Sequence, residues 1–409
     1  MNSKKTIKEL ISTIMSEMEK EHFSKETRRQ YKDVYNRLQR LDDNHQEVFY
    51  NMELGQAFIE DCNYAWKKDT YSNHRFYFHK RCILILERLI TTGKVDLSKC
   101  IPNNIQSRSF AIKTFELIYK DYIQLLQEEG IKPSTICSYA RASFYLLKYL
   151  EEKRYHSLDD LLPGDVTNFF LVMCKVHWDP KCLGSYISGV KKLLKMSVKS
   201  SVYIREIPSH MPRKKEIIEV YTDEEYIKIL SYLDNADISK RDKAISILAI
   251  ETGMRAIDIN NLKIRDVDWK YEFIHLIQEK TGHTLDIPLR ASYGNAMMDY
   301  LLEERQDSKS AFFFLQCKAP YGKIMSHSCI FKILQKIVKN AGVESSGRIN
   351  GTRMMRHNAA SRMVRKGVRL SAIAGVLGHR DPNSTMTYIS TDREELSRCT
   401  LPLPGGTHE

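Results

Sequence analysis

The chain has 409 residues, of which 42% are hydrophobic and 28% are charged, and its formal net charge at neutral pH is +12. This length exceeds what one ordinary hydrophobic core accommodates and favours two or three domains, and no run of about 18 apolar residues is present, which argues against a membrane span. The positive excess favours nucleic acid as a partner, because Lys and Arg neutralise phosphates, although a merely basic surface would give the same balance.

Residues 1–104 are predicted to form a helical N-terminal domain, because segments such as "TRRQYKDVYNRLQRL" carry apolar residues at three- and four-residue spacings. The N-terminus is charged and lacks the apolar block of a signal peptide. Nine cysteines show neither C-x-x-C spacing nor a Cys/His ligand set, which indicates reduced thiols and no metal site. We therefore expect a cytoplasmic protein, associated with the nucleoid if the organism is bacterial.

Residues 105–204 continue as helices and are predicted to form a second helical domain. Its last part, "YISGVKKLLKMSVKS", places four lysines on one basic helical segment, and these are candidate DNA contacts: Lys191, Lys192, Lys195 and Lys199. A solvated helix face is the alternative interpretation for each of them. Residues 205–220 hold two prolines and a basic run, which is typical of a linker between domains.

Residues 221–393 are predicted to be a mixed domain, mainly helical, and residues 394–409 a C-terminal tail. Thr222 followed by Glu225 forms the pattern of a capping box at a helix start. The stretch "FIHLIQEKTGHTLDIPL" contains two β-rich runs around Gly282, which predicts a β-ribbon. Lys280 lies at the tip of this ribbon. It could reach into a groove, or it could be an edge-strand lysine that discourages aggregation.

Two arginine motifs stand on either side of the ribbon. In "AIETGMRAIDIN" a helix ends at Gly253 and Arg255 begins the next helix, where a guanidinium can help to hold a phosphate. Asp258 lies three residues on, where it can orient a neighbouring donor. In "GTRMMRHNAASRMVRKG" the i, i+3 spacing places Arg353 and Arg356 on one helical face. Taken alone, each of these arginines is better interpreted as an ordinary surface residue.

The stretch "VLGHRDPNSTMTYIS" places His379 at the end of a short helix and Tyr388 nine residues later, after an Asp-Pro turn. With these residues in order, residues from about 110 to 400 resemble the tyrosine recombinase (phage integrase) family. Its first arginine motif matches Thr252 to Arg255 with Asp258, and its ribbon lysine matches Lys280. The second arginine box, usually His-x-x-Arg-His, stands here as Arg353 to His357. The family's Leu-Gly-His matches residues 377–379, and its nucleophile matches Tyr388.

The resemblance implies a multidomain fold, with an all-α N-terminal domain and a SAM-like helical core-binding domain before a mixed α+β catalytic domain with a small β-ribbon sheet. It implies that Tyr388 forms a 3′-phosphotyrosine with DNA, that Arg255 and Arg356 clamp the phosphate, and that Lys280 protonates the leaving oxygen. His379 would donate a hydrogen bond to the phosphate. Arg353, which replaces the usual histidine, cannot shuttle protons at its pKa above about 12, so we interpret it as an extra clamp.

The same resemblance implies double-stranded DNA as partner, no cofactor, no membrane, and a homotetramer on paired sites in which the tail docks on a neighbouring subunit. The biological outcome would be integration or excision of a mobile element. Two alternatives stay open. A helix-turn-helix regulator would explain residues 359–380 but not Arg255, Lys280 or Tyr388. A type IB topoisomerase would share the chemistry and act as a monomer. Residues 1–104 could bind outer DNA sites or form a second core-binding-like module.

Overall fold

The computed structural model of the chain describes residues 6–41, 49–97, 109–176, 178, 182–207, 218–324 and 326–378. Across these ranges the fold is mainly helical with one small antiparallel sheet, as the predicted fold class requires. None of the helices in these ranges combines the length and the apolar character that a membrane span needs. The tail at 394–409 and residues 208–217 of the predicted linker lie outside the described residues.

The described residues before position 98 form four helices around their own hydrophobic core. They are α1 (Ile7–Lys20), α2 (Lys25–Arg40), α3 (Met52–Lys67) and α4 (Asn73–Thr92). Each helix begins after a polar residue whose side chain accepts a backbone N–H of the first turn, as N-cap residues do: Thr6, Ser24, Asn51 and Ser72. Tyr35 and Phe58 are fully buried at the centre. Ala319, from the second half of the chain, packs against this core.

Residues 102–215 form one compact unit, and the rest of the chain, with the N-terminal helices, forms the other. The domain boundaries predicted from the sequence stay a prediction. The helices of the 102–215 unit are α5 (Lys113–Glu128), α6 (Pro133–Glu152), α7 (Asp165–Val176), α8 (Leu183–Leu194) and α9 (Val198–Ser201). Helices α6 and α8 approach closely because α8 carries Gly189, at which a Cβ atom would come within 2.8 Å of the Cα of Tyr139.

The second half alternates helices with the sheet. Its helices are α10 (Asp223–Asn235), α11 (Lys240–Thr252), α12 (Ala256–Asn261), α13 (Ala291–Asp299), α14 (His327–Asn340), α15 (Gly351–Arg365) and α16 (Leu370–Leu377). The capping box predicted at Thr222 is present at the start of α10. The three strands are β1 (Val267–Asp268), β2 (Phe273–Ile277) and β3 (Thr284–Pro288), paired antiparallel in sequence order. Strands β2 and β3 form the predicted ribbon, with Phe273 opposite Pro288 and Ile277 opposite Thr284.

Helix α11 is the centre of this half of the chain, because it is apolar on nearly every side. Its residues from Ala244 to Ile250 are all buried, which is expected of a helix that is hydrophobic all round and enclosed by its neighbours. It packs against α13 and α15. The helix ends at Gly253, whose φ of +64° is the left-handed conformation that glycine adopts readily at helix ends. This ending turns the chain directly into the first arginine motif.

Candidate active site

The first arginine motif lies in the corner between α11 and α12. Arg255 is the N-cap residue of α12, so its backbone is extended and its side chain leaves the corner without capping the helix itself. Its Nη1 atom is buried and has no hydrogen-bond partner within the described residues. A buried guanidinium nitrogen without a partner is costly to a fold unless an anion comes to it. The corner therefore holds a cationic N–H donor that makes no hydrogen bond to the described part of the chain, although the carboxylate of Asp258 lies 3.9 Å away.

Asp258 supports this corner from one turn into α12. Its carboxylate lies 3.9 Å from Nη1 of Arg255, and its side chain is completely buried. One carboxylate oxygen accepts a hydrogen bond from the backbone N–H of Glu279 at 3.0 Å. Burial raises the pKa of Asp258 above its ordinary value, while the Glu279 N–H, Arg255 and Arg356 oppose that rise. Asp258 thus connects the arginine corner to the turn that follows β2.

Arg356 brings the second arginine motif to the same corner. Its Nη1 donates to the carbonyl oxygen of Gly253 at 3.0 Å, and its Nη2 donates to the carbonyl oxygen of Leu377 at 2.6 Å. Only 8% of the residue is exposed. Gly253 permits this approach, because a Cβ atom there would lie 3.3 Å from the Cα of Arg356 and 3.1 Å from Leu377. Arg356 therefore joins the end of α11 to the end of α16.

Lys280 lies in the turn between β2 and β3, and it is exposed, as the ribbon pattern predicts. The turn is fixed by two backbone hydrogen bonds of 2.8 Å: Gln278 N–H donates to His283, and Gly282 N–H donates to Gln278. Gly282 has a φ of +73°. The lysine is thus carried on a defined turn whose first residues contact both Asp258 and α16.

Arg353 and Arg356 differ in burial, although the sequence places them on one face of α15. Arg353 is exposed in the first turn of the helix, and no hydrogen bond or ion pair holds it within the described residues. Arg356 is instead drawn inward by the two carbonyl oxygens that it binds. Positions three apart on a helix are about 60° out of line, so one can face the interior while the other borders solvent.

His379 and Tyr388 lie outside the described residues, which end at Gly378. Their roles as phosphate donor and nucleophile stay predictions. The chain reaches Gly378 through α16, which is anchored by Ile373 and Leu377, both buried against Ala360 of α15. Gly378 caps α16 with a φ of +62°. The last described residues before His379 therefore adjoin Arg356.

The four candidate DNA-binding lysines lie in the 102–215 unit. Lys195 and Lys199 are exposed, and Lys191 is half-buried. Lys192 forms an ion pair with Glu129. The paired lysine has a protein partner already, whereas the two exposed ones offer their charges to solvent. Their role as DNA contacts stays a prediction.

Gln278 is a part of the site that the sequence analysis missed. Only 1% of it is exposed, and its Nε2 donates to the carbonyl oxygen of Leu377 at 3.2 Å. A signal was present in the sequence. Ile274 and Leu276 alternate as the inward side chains of β2, and the same alternation places position 278 inward. A polar residue on an inward position two residues before the ribbon lysine could have been singled out.

The helix-turn-helix alternative meets a physical difficulty at α16, which would be its recognition helix. Helices α15 and α16 are joined by a short turn with Gly367 at a φ of +72°. Nevertheless, the exposed residues of α16 are small or apolar: Leu370, Ser371, Ala372 and Gly375. Base edges are read chiefly by arginine, lysine, and amide or carboxylate side chains. Helix α16 exposes none of these, so the regulator interpretation is disfavoured.

Comparison with known proteins agrees with this geometry. The model of the phage integrase family matches residues 219–395. The y4gC protein of Sinorhizobium fredii, named as an integrase/recombinase, is 31% identical over 172 residues, which cover 42% of this chain and 88% of y4gC. The y4rF protein of the same bacterium, also so named, is 30% identical over 169 residues, which cover 41% of this chain. That match spans only 40% of the length of y4rF.

Solved structures give the same result for the fold. The crystal structure of the XerH site-specific recombinase bound to palindromic difH substrate, a post-cleavage complex, is similar with a TM-score of 0.56 and 18% identity. The likeness covers 72% of this chain and 89% of the XerH chain. At this identity the likeness speaks for the fold alone. The family match and the y4gC relative establish that the chain belongs to the phage integrase family of tyrosine recombinases.

Proposed function

We propose that this chain is a site-specific DNA recombinase that cuts and rejoins DNA strands through a 3′-phosphotyrosine intermediate. Its place of action would be the cytoplasm, and its outcome the integration or excision of a mobile element. Double-stranded DNA is the substrate, and the working form is a homotetramer on paired sites. The names of the relatives, all integrases or recombinases, support the reaction class.

One observation carries the proposal: the hydrogen bonds of Arg356 to Gly253 and Leu377. They bring together three sequence motifs that are far apart in the chain, since Gly253 adjoins Arg255 and Leu377 is two residues from His379. The turn after β2, which carries Lys280, joins the same assembly through Asp258 and Leu377. A regulator needs no such convergence. Strand cleavage does need it, because one phosphate must meet the nucleophile, the cationic clamp and the acid that protonates the leaving 5′-oxygen.

Each side chain has a defined task in this reaction. The Tyr388 hydroxyl gives its proton to solvent, because the nearby cations favour its phenolate. The phenolate oxygen attacks phosphorus, the bond from phosphorus to the 5′-oxygen breaks, and the Lys280 ammonium gives that oxygen its proton. Arg255 and Arg356 stabilise the charge that grows on the non-bridging oxygens, a contribution on the order of 3 kcal/mol for one such donor. His379 and Arg353 add further donors. Because the phosphotyrosine conserves the bond energy, a 5′-hydroxyl can reverse the reaction without ATP.

Covalent trapping tests the proposal. The full chain is incubated with duplexes that carry a nick flanked by random sequence, so that cleavage close to the nick releases a short 5′-hydroxyl fragment and the adduct accumulates. We expect a protein–DNA adduct that resists denaturation, and none with Tyr388→Phe. Since the target sequence is unknown, the DNA is a random library, and the trapped strands are sequenced. Absence of any wild-type adduct on this library, while the chain still binds duplex DNA, would overturn the proposal in favour of a regulator.

The same substrates separate a recombinase from a type IB topoisomerase. Strand exchange between two trapped sites, with products of the length that recombination predicts, is expected of the recombinase. Relaxation of plasmids without any preferred sequence would instead identify a topoisomerase. Deletion after Arg393 tests the proposed tail exchange: we expect that it blocks pairing of sites and spares binding to a single site. A truncated chain that pairs sites as the full chain does would contradict tail exchange.

A further inference from the structure

Two polar contacts of Gln278 fix its side-chain amide completely. Nε2 donates to the Leu377 carbonyl oxygen at 3.2 Å, and Oε1 accepts from the Thr281 hydroxyl at 2.8 Å. The orientation of the amide follows from chemistry, since a carbonyl oxygen can only accept and must therefore face the NH₂ group. Thr281 follows Lys280 directly. The amide thus links the turn that carries Lys280 to the last residue of α16.

The carbonyl oxygen of Leu377 is shared. It accepts from Arg356 at 2.6 Å as well as from Gln278, and a carbonyl oxygen has two lone pairs for two donors. Carbonyls at the end of a helix have no partner inside the helix, so this one is available. Through one atom, the placement of the lysine turn and the placement of the Arg356 guanidinium depend on each other.

Gly378 gives independent support for the importance of this junction. A Cβ atom at position 378 would overlap the side-chain amide of Gln278, and the φ of +62° is one that residues with a Cβ rarely adopt. The glycine of the Leu-Gly-His motif therefore makes room for the Gln278 amide. On the other side, the N–H of Glu279 holds Asp258, which lies beside Arg255.

We propose that Gln278 is a positioning residue for proton transfer: its amide holds the Lys280 turn in register with the Leu377–Gly378 corner. It touches neither DNA nor the reacting atoms. This proposal rests on the proposed function and adds a residue to it. The alternative is a buried glutamine that serves stability alone, and the experiment has to separate the two.

Gln278→Met is the informative change, because methionine keeps the length of the side chain and brings no polar atom that must be paired. The Leu377 carbonyl keeps its bond to Arg356, and the half-buried Thr281 hydroxyl can turn to water, so we expect the variant to fold. The same substitution at the exposed Gln124 of α5 is the matched control. Thr281→Val, which removes the donor that orients the amide, is a second and milder variant.

The readout is the rate of covalent adduct formation on two DNA substrates, one ordinary and one with sulfur in place of the bridging 5′-oxygen. A thiol has a pKa of about 8.5, far below that of the 5′-hydroxyl, so a sulfur leaving group departs without a proton donor. Lys280→Ala is expected to be slow on the ordinary substrate and restored on the sulfur substrate, since general acids contribute about 10²- to 10⁴-fold.

On the ordinary substrate we expect Gln278→Met to lower the rate about tenfold, less than loss of the acid itself, and Thr281→Val to lower it less. On the sulfur substrate both should approach the wild-type rate, and Gln124→Met should match wild type on both. An equal deficit on both substrates, or no deficit at all, would overturn the proposal. If the wild-type chain forms no adduct at all, the proposed function itself is wrong. This outcome differs from a wild-type chain that is active beside a Gln278→Met variant without the expected pattern, so the two failures are distinguishable.

Discussion

At the scale of single residues, Arg353 and Arg356 are close in sequence but lie in different environments. It lies one turn before Arg356, yet it is exposed while Arg356 is buried and bound to two carbonyl oxygens. An exposed guanidinium in the first turn of a helix is free to meet a phosphate that arrives from solvent. It is also unsuited to act as a base, because arginine stays protonated.

We therefore expect Arg353→His to retain cleavage, since histidine still donates a hydrogen bond, and Arg353→Ala to lose about 10²-fold or less, the effect of one phosphate donor. Single-turnover adduct formation measures both. If Arg353→His fails to cleave DNA while Arg353→Ala still cleaves it, Arg353 does not act as a phosphate clamp. Arg356→Ala is the reference for a full loss, since it also leaves the carbonyls of Gly253 and Leu377 without their donor.

The sequence predicted where several residues of the candidate site lie in the fold better than it predicted their partners, and the catalytic roles of these residues stay predictions. Arg255, Asp258 and Lys280 could be placed because a helix end and the ribbon turn carry local signals such as Gly253 and Gly282. The acceptors of Arg356 could not, since they are backbone carbonyls 103 and 21 residues away, and such contacts follow only from how α11, α15 and α16 pack. Gln278 is different: the alternation of β2 places position 278 inward, and only its acceptor, the carbonyl oxygen of Leu377, depends on packing.

At the scale of elements, Gly189 sets the distance between α6 and α8. A methyl group there would press on backbone of Tyr139, at 2.8 Å from its Cα and 3.1 Å from its carbonyl oxygen, and backbone cannot move aside as a flexible side chain can. Gly184, on the same helix, has nothing within 4 Å of its ideal Cβ. The pair forms a matched experiment.

Gly189→Ala should lower the free energy of unfolding of the 102–215 unit by about 1–3 kcal/mol, the usual cost of overpacking. Gly184→Ala should leave it unchanged or raise it by about 0.5–1 kcal/mol, since alanine favours helix. Amide hydrogen exchange in α6 and α8 of the full chain reports both. Equal protection in the two variants would show that α6 and α8 can separate without cost.

The N-terminal helices contain a group whose charge opposes folding. His79 of α4 is 5% exposed, with its Nδ1 3.4 Å from the sulfur of Cys62. Burial, together with the nearby positive charges of Arg37 and Arg75, lowers the pKa of His79 from 6.5 to about 4. Since the unfolded chain binds the proton more readily, stability is present above pH 6.5 and is lost as the pH falls toward 4.

The free energy of unfolding falls by about 3 kcal/mol once the pH lies below both the unfolded and the folded pKa of His79. Hydrogen exchange of α4 amides at a pH of about 7.5 and about 5 should show weakened protection at the lower pH, after correction for the intrinsic exchange rate. His79→Phe should remove most of that difference, because phenylalanine stays neutral among Phe58, Tyr71 and Phe78. The same change at the exposed His74 of this helix should leave the difference in place. If both variants behave alike, His79 is not the group responsible.

Elements with strong local signals were predictable, and their assembly was not. The capping box at Thr222, the ribbon around Gly282 and the helical periodicity of α2 all depend on residues within one or two turns. By contrast, the packing of Ala319 against the N-terminal core joins residues more than two hundred positions apart. Neither periodicity nor composition predicts a contact between residues so far apart. The grouping of residues 6–97 with the second half of the chain therefore came from the structure.

At the scale of the whole molecule, the net charge of +12 includes lysines that are paired within the protein and exposed lysines that could contact the proposed DNA substrate. Lys192 is paired with Glu129, and Lys120 with Glu116, so their charges are already balanced within the 102–215 unit. Lys195 and Lys199 are exposed, and no ion pair holds either one within the described residues. Lys195 and Lys199 are therefore the better candidates for contacts with DNA phosphates, which release the counterions bound there.

If Lys195 and Lys199 both contact phosphate, the double variant Lys195→Gln with Lys199→Gln lacks two phosphate contacts. The slope of log affinity against log salt should then become shallower by about 1.8, since each phosphate contact contributes about 0.9. Affinity for unrelated duplexes should fall as much as affinity for the target, because phosphate contacts carry no sequence information.

The matched control removes the same charge from α5, as Lys113→Gln with Lys120→Gln, and should leave the slope unchanged. Titration of labelled duplexes over a range of salt gives both slopes. Two equal slopes for the variant pairs would mean that net charge alone, rather than these two lysines, governs binding.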